Sequence, residues 1–254
     1  VQTHSYGPAA SQVGDLHLPQ AEHPPVVVLL HGGFWRLPYG YDQYTPIAED
    51  LVRRGYAAWN LEYRRIGEPG GGWPNTLRDV SLGIEHLAKL KAGGADLDLS
   101  RVITVGHSAG GHLALWAGGP RKLAAGDPAP KVKVMAAVGQ APAADLKRIH
   151  ELGCSNRVSL ELTGGTPEQY PDRYHYGSPR ALLPLGIPQL IVHGDEDDTV
   201  IEEIGREYAA AARKAGDKVE YVSFPGMGHF EHLDPTGHAW ETVVVWLGKV
   251  LPKS

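Results

Sequence analysis

The chain has 254 residues, 42% of them apolar and 21% charged, and its 24 Lys and Arg against 29 Asp and Glu give a formal net charge of -5. That length and apolar content suit one sizeable domain and exclude a disordered polyelectrolyte, and the mild acidity offers no basic footprint for nucleic acid or an anionic membrane. Cys154 is the only cysteine, which excludes an intramolecular disulfide and any Cys-rich zinc site.

Short β-rich runs alternate with longer helical periods, the pattern of a mainly parallel sheet with helices on both faces. Residues 13–18 alternate like an exposed early strand, and Val26-Val27-Val28-Leu29-Leu30 reads as a strand buried on both faces. This apolar run is far shorter than the roughly 18 residues of a membrane helix, and no leader pattern precedes it. A soluble, cytoplasmic protein is therefore expected, with a removed leader left open because the chain begins at Val1 rather than Met.

Thr45-Pro46 opens a helix that Gly55 stops, and 57–61 is the next strand. Asn75 caps a helix in which Leu77, Val80, Ile84, Leu87 and Leu90 recur at three and four residues, closed by Gly93-Gly94. Strands at 102–105 and 132–138 flank a Gly-rich turn and a short helix to about Ala117. Residues 141–188 are rich in Pro, Gly, Tyr and Arg without a clean period, and read as a substrate-side excursion of short helices within a single domain spanning 1–254. A strand at 189–192, a helix at 199–215, a strand at 219–222 and a last helix up to Pro252 complete the chain, seven strands in all.

Four strand ends carry the chemistry. Gly106-His107-Ser108-Ala109-Gly110 lies between a strand and a helix, where a sharp turn pushes a serine hydroxyl outward and frees the Ala109 amide to face a developing oxyanion. His31-Gly32-Gly33-Phe34-Trp35 follows its strand at the same end of the sheet and offers the amides of Gly33 and Phe34 as further donors. The sequence does not choose between those two. His31 reads as a residue whose ring bonds loop backbone. Trp35 either walls the substrate pocket or packs under the loop.

His193-Gly194-Asp195-Glu196-Asp197-Asp198-Thr199-Val200 supplies a carboxylate to orient an imidazole. Of its three aspartates, Asp197 is selected, because Asp198 suits a helix cap and Asp195 suits closing the turn. His229, in Gly226-Met227-Gly228-His229, is the expected base, with His232 and His238 as rivals; an imidazole of pKa about 6.5 can take the serine proton near neutral pH and return it. The order Ser, Asp, His, each after its own strand, is what raises these residues above coincidence.

With HGGFW at 31–35, EYR at 62–64, GHSAG at 106–110, HGDEDDTV at 193–200 and GMGH at 226–229, nearly the whole chain resembles the α/β-hydrolase superfamily. Within it the chain is similar to serine esterases and lipases with an HGG-x-W oxyanion loop, a group including kynurenine formamidase-like and feruloyl-esterase-like enzymes. The resemblance implies an α/β fold with a mainly parallel eight-stranded sheet and a small cap after the sixth strand, so that one strand near the N-terminus escapes the reading above. Its acid and base positions fall on Asp197 and His229. Two departures, Phe34 where the formamidase-like loop has tyrosine and Glu62 where the lipase-like pattern has aspartate, separate serine hydrolysis, which the resemblance implies, from formamide specificity, which it carries less far.

The expected function is therefore a carboxylic ester hydrolase that cleaves a small-molecule ester through an acyl-enzyme, with no cofactor, no metal, and no nucleic-acid or membrane partner. Tyr170, Tyr174, His175 and Tyr176, with Trp35, offer an aromatic pocket for an aryl group; the tyrosines would serve equally to pack the cap onto the body. Arg36 reads as solvated in preference to meeting an anionic group of the substrate. The same machinery turned on another bond would make an amide hydrolase such as an aryl formamidase or a peptidase, and a catalytically silent binding module is the non-enzyme alternative, against which the complete Ser, Asp and His set argues. His150 with Cys154, and His229 with His232, have helix-compatible spacings for a metal but no third ligand.

Overall fold

The computed structural model describes residues 1–251. Eight strands form one sheet: β1 (Gln2–Ser5), β2 (Val13–His17), β3 (Pro25–Leu30), β4 (Ala57–Leu61), β5 (Asp98–His107), β6 (Ala136–Gln140), β7 (Gln189–Gly194) and β8 (Val219–Phe224). Their spatial order is β1-β2-β4-β3-β5-β6-β7-β8. The pairs β1/β2 and β2/β4 are antiparallel and all others are parallel. Since β3, β5, β7 and β8 run the same way, the loops leaving their carboxyl ends collect on one rim.

Burial follows from the side-chain period of two. Val26, Val28 and Leu30 of β3 face one core, against α2 (Asn75–Ala92) and α3 (Ala109–Gly118), while Val27 and Leu29 face a second core with α1 (Thr45–Arg53) and α8 (His238–Val250). The apolar stripe expected on α2, from Leu77 to Leu90, is buried in the first core. Trp240, Val243, Trp246 and Leu247 of α8 fill the second. Between β6 and β7 the chain makes α4 (Leu146–Leu152), α5 (Ser159–Thr163) and α6 (Pro171–Gly177), and α7 (Glu202–Lys214) follows β7.

Several boundaries differ from expectation for identifiable reasons. The eighth strand is β1, whose Gln-Thr-His-Ser sequence has no apolar alternation because it lies exposed at the sheet edge. The strand expected from 132 begins at Ala136, since the Val132 amide donates to the Glu85 carboxylate at 3.2 Å instead of entering the ladder. α7 starts at Glu202 rather than 199 because the Thr199 and Val200 amides are both held by Asp197 Oδ1 at 2.9 Å. Asp198 caps nothing; it accepts from its neighbour Thr199 Oγ1 at 3.2 Å. Asn75 is the first residue of α2 rather than its cap, its side-chain Nδ2 donating to the Gly70 carbonyl at 3.0 Å. The expected end of the last helix, Pro252, lies outside the described residues. Among the described residues no helix is long and apolar enough to cross a membrane.

Candidate active site

Ser108 sits between β5 and α3 at φ 58, ψ -119. A non-glycine residue there costs about 1–3 kcal/mol, and it persists only because the surroundings dictate it. The flanking glycines are what make the turn possible: a Cβ on Gly106 would lie 2.0 Å from the Gly110 carbonyl oxygen, and one on Gly110 would lie 1.9 Å from that of Leu30. At the first position of α3 the Ala109 amide has no intrahelical acceptor, so it is free for an anion at the positive end of the helix.

The loop after β3 lies directly over this turn. Gly32 permits the approach, since a Cβ there would meet the His107 carbonyl oxygen at 2.9 Å. Gly33, Phe34 and Trp35 all have positive φ, at 108, 58 and 56°. Such a run needs anchors. His31 stacks on Tyr63 with ring centroids 4.3 Å apart, its Nδ1 lies 2.7 Å from the Gly32 carbonyl oxygen, and its Nε2 lies 2.7 Å from Glu62 Oε1. Tyr63 Oη donates to the His31 carbonyl at 2.8 Å. Thus the EYR segment supports the loop from below, a role its sequence did not disclose. Trp35 is buried, its indole N–H donating to His112 Nδ1 at 3.1 Å. Arg36, expected to be solvated, is partly exposed and forms a surface ion pair with Glu161 of α5 at 2.5 Å.

The candidate acid and base meet as their loops leave β7 and β8. His229 Nδ1 lies 2.6 Å from Asp197 Oδ2, and both side chains are almost wholly buried. Gly194 brings the two loops into main-chain contact, since a Cβ there would lie 2.1 Å from the Met227 carbonyl oxygen. Burial opposes ionisation of the Asp197 carboxyl, but hydrogen bonds from His193 and His229 and from the Val200 amide hold it well below the usual carboxylate range. It is an acceptor with every site engaged. Asp195 instead accepts from the Gly226 amide at 2.7 Å, which ties the acid loop to the turn before His229.

Sequence reasoning overlooked two histidines. His107, beside the serine, places Nε2 2.6 Å from the His229 carbonyl oxygen; burial lowers its pKa to about 3, so the neutral ring donates this bond and joins the nucleophile turn to the base loop. His193 Nε2 lies 2.7 Å from the Val200 carbonyl oxygen and 3.3 Å from Asp197 Oδ2. The placement of His193 four residues before Asp197 was the available signal. Of the rivals to His229, His232 is fully buried with neither ring nitrogen partnered among the described residues, and His238 opens α8 and lines a different cavity from Ser108.

Ser108 and His229 line one cavity of about 360 Å³ without a direct hydrogen bond between their side chains. Such bonds commonly tighten only with substrate bound. Phe34, Tyr39, Phe230 and Leu233 give the cavity apolar walls, Asp42 and Gln43 a polar edge, and Gly33 borders it. No lining residue comes from 141–188. The aromatic residues expected to bind substrate therefore lie elsewhere: Trp35 packs under the loop, Tyr174 borders a separate surface cavity and donates to the Gly165 carbonyl at 2.9 Å, and the Tyr176 carbonyl accepts from Trp116 Nε1 at 2.8 Å. Among the described residues no three His, Cys, Asp or Glu side chains are grouped to hold a metal ion.

The family model of BD-FAE matches residues 15–210. The chain belongs to this family, an esterase domain of α/β-hydrolase type. The BD-FAE match includes Ser108 and Asp197, while His229 lies beyond its end. No curated protein matches the chain. Solved structures share the fold of this BD-FAE member. A bifunctional GH43-CE protein of Bacteroides eggerthii is 21% identical with a TM-score of 0.82, over 98% of this chain and 37% of that longer one. A truncated carbohydrate esterase from gut microbiota is 22% identical with a TM-score of 0.80, over 98% of this chain and 96% of that one. A thermophilic esterase of the planctomycete Thermogutta terrifontis is 23% identical with a TM-score of 0.81, over 100% of this chain and 94% of that one.

Proposed function

We propose that this BD-FAE esterase cleaves small carboxylic esters through a Ser108 acyl-enzyme. The observation that carries the reading is the 2.6 Å pair of His229 and Asp197 on the same rim as a serine held at positive φ. His229 Nε2 takes the Ser108 proton as Oγ attacks the ester carbonyl. Asp197, ionised and bonded to Nδ1, fixes the tautomer and stabilises the imidazolium. The negative charge of the tetrahedral intermediate falls to the amides of Ala109 and of Gly33 or Phe34. Collapse expels the alcohol, which receives the proton from His229, and water repeats the sequence to release the acid.

The cavity sets the substrate class. Its volume of about 360 Å³ and the aromatic walls at Phe34, Tyr39 and Phe230 suit a short acyl chain or one aryl group rather than a long lipid. In support, the Thermogutta terrifontis esterase has been solved with propionate and with butyrate bound, and phosphonylated by sarin. Residues 141–188 form an insertion that covers the body without entering this cavity.

Two measurements on one pair of proteins test the reading. A fluorophosphonate should label the wild type at Ser108, located by peptide mapping, and Ser108→Ala should lose both label and turnover of p-nitrophenyl acetate. Turnover that survives in Ser108→Ala overturns the assignment.

A further inference from the structure

We infer that His112 is a positioning residue for this reaction, setting the oxyanion loop in register with the nucleophile. The inference rests on the serine reading above and concerns a side chain that lies outside the catalytic cavity.

His112 sits one turn into α3, and its backbone amide donates to the Ser108 carbonyl at 3.0 Å. Its ring reaches the other way on both sides. Nδ1 accepts from the Trp35 indole N–H at 3.1 Å, and Nε2 lies 2.7 Å from the Gly177 carbonyl oxygen at the end of α6. Because an indole can only donate and a carbonyl can only accept, one neutral tautomer satisfies both contacts, with the proton on Nε2. Burial lowers the ring's pKa to about 4, so this neutral form prevails near pH 7. The ring is fully buried and meets the indole edge-on, with centroids 5.1 Å apart at 90°.

The chain leading to Trp35 is the part that needs holding. Three consecutive residues there have positive φ, two of them the alternative oxyanion donors Gly33 and Phe34. Backbone bonds fix the far side of the loop, where the Ile66 amide donates to the Trp35 carbonyl at 2.8 Å. The indole fixes the near side, to the very helix that begins at the nucleophile. Donors aimed at a developing oxyanion lose effect when displaced by as little as an ångström, so a bond that sets the loop against α3 acts on turnover more than on binding.

Two replacements separate this role from packing. His112→Asn places an acceptor where Nδ1 stood and loses the reach to Gly177. His112→Gln carries a polar group to the Nε2 position and leaves the indole unpaired. On p-nitrophenyl acetate, His112→Gln should lower kcat by about 10- to 100-fold with KM within about twofold, and His112→Asn should recover most of that loss. Trp35→Phe should lower kcat as His112→Gln does, and the double variant should fall no further. A purely packing residue gives the opposite order, since Asn leaves the larger cavity; Asn more damaging than Gln, or additive losses in the double variant, overturns the inference. If His112→Gln does not fold, the contrast between Trp35→Phe and His112→Asn decides by the same criterion. Ser108→Ala is run beside them: activity surviving there overturns the serine reading and this inference with it, whereas activity lost there but unchanged in His112→Gln and Trp35→Phe overturns the inference alone.

Discussion

Asp197 Oδ2 and His229 Nδ1 are 2.6 Å apart although 32 residues separate them. The carboxylate is engaged on both oxygens, since Oδ1 accepts the Thr199 and Val200 amides at 2.9 Å. Asp197→Asn would keep the size of the side chain but present the ring with an amide, favouring the wrong tautomer. We expect kcat for p-nitrophenyl acetate to fall by about 10⁴-fold. A loss of less than tenfold would mean that another group orients His229.

Backbone conformation at Ser108 suits glycine better than serine. Ser108→Gly should therefore be inactive yet more stable, by about 1 kcal/mol, which for a chain of this size is a rise of about 2–4 °C in Tm. Calorimetry at pH 7 checks this, and a lowered Tm would show that the turn is not strained.

Glycine replacements should divide by what a Cβ meets. Gly110→Ala drives a methyl to 1.9 Å from the Leu30 carbonyl oxygen and should cost about 3 kcal/mol or prevent folding. Gly248→Ala, within α8 and with nothing inside 4 Å, should gain about 1 kcal/mol. Urea titrations rank the two against wild type, and equal midpoints would refute the steric account.

Substrate contact should follow the cavity rather than the tyrosines of 141–188. Phe230 is 65% exposed and lies edge-on to His229 with centroids 5.1 Å apart. Phe230→Ala should raise KM for a p-nitrophenyl ester by about 5- to 30-fold, the equivalent of about 1–2 kcal/mol of apolar contact. Tyr174→Ala should leave it within twofold. The reverse ranking would move the substrate to the separate cavity that Tyr174 borders.

Acid should weaken the fold in a defined window. Burial lowers the pKa of His107 to about 3 and of His112 to about 4, against 6.5 in the unfolded chain. Between these limits the unfolded state binds more protons, so stability is complete above about pH 6.5 and falls as the pH drops toward 4. Each histidine contributes up to about 1.4 kcal/mol per pH unit to that slope. Denaturant titrations from pH 7.5 to 4.5 should show the decline, and His112→Asn should make it shallower; a flat profile in the wild type would exclude buried neutral rings.

The sheet and the proposed relay were legible because both leave local marks. β3 is a solid apolar run, Gly106 and Gly110 announce the sharp turn, and the glycines beside Met227 announce the loop that carries His229. What stayed hidden depends on distant partners. Nothing around Glu62 signals that it meets His31, or around His112 that it receives the Trp35 indole 77 residues away. β1 escaped notice for the opposite reason, since an exposed edge strand has no apolar face to display. Tyr174 and Tyr176 were ambiguous in sequence because aromatic rings in a Pro- and Gly-rich stretch suit a binding site and a packed insertion alike.

Residues 38–43 contribute Pro38, Tyr39, Gly40, Asp42 and Gln43 to the cavity and no group to the proposed proton relay. Part of the proposed recognition surface thus lies on a loop that supplies no group to the relay. Grafting other sequences into this stretch is a direct way to retune which esters enter while the reaction steps are left intact.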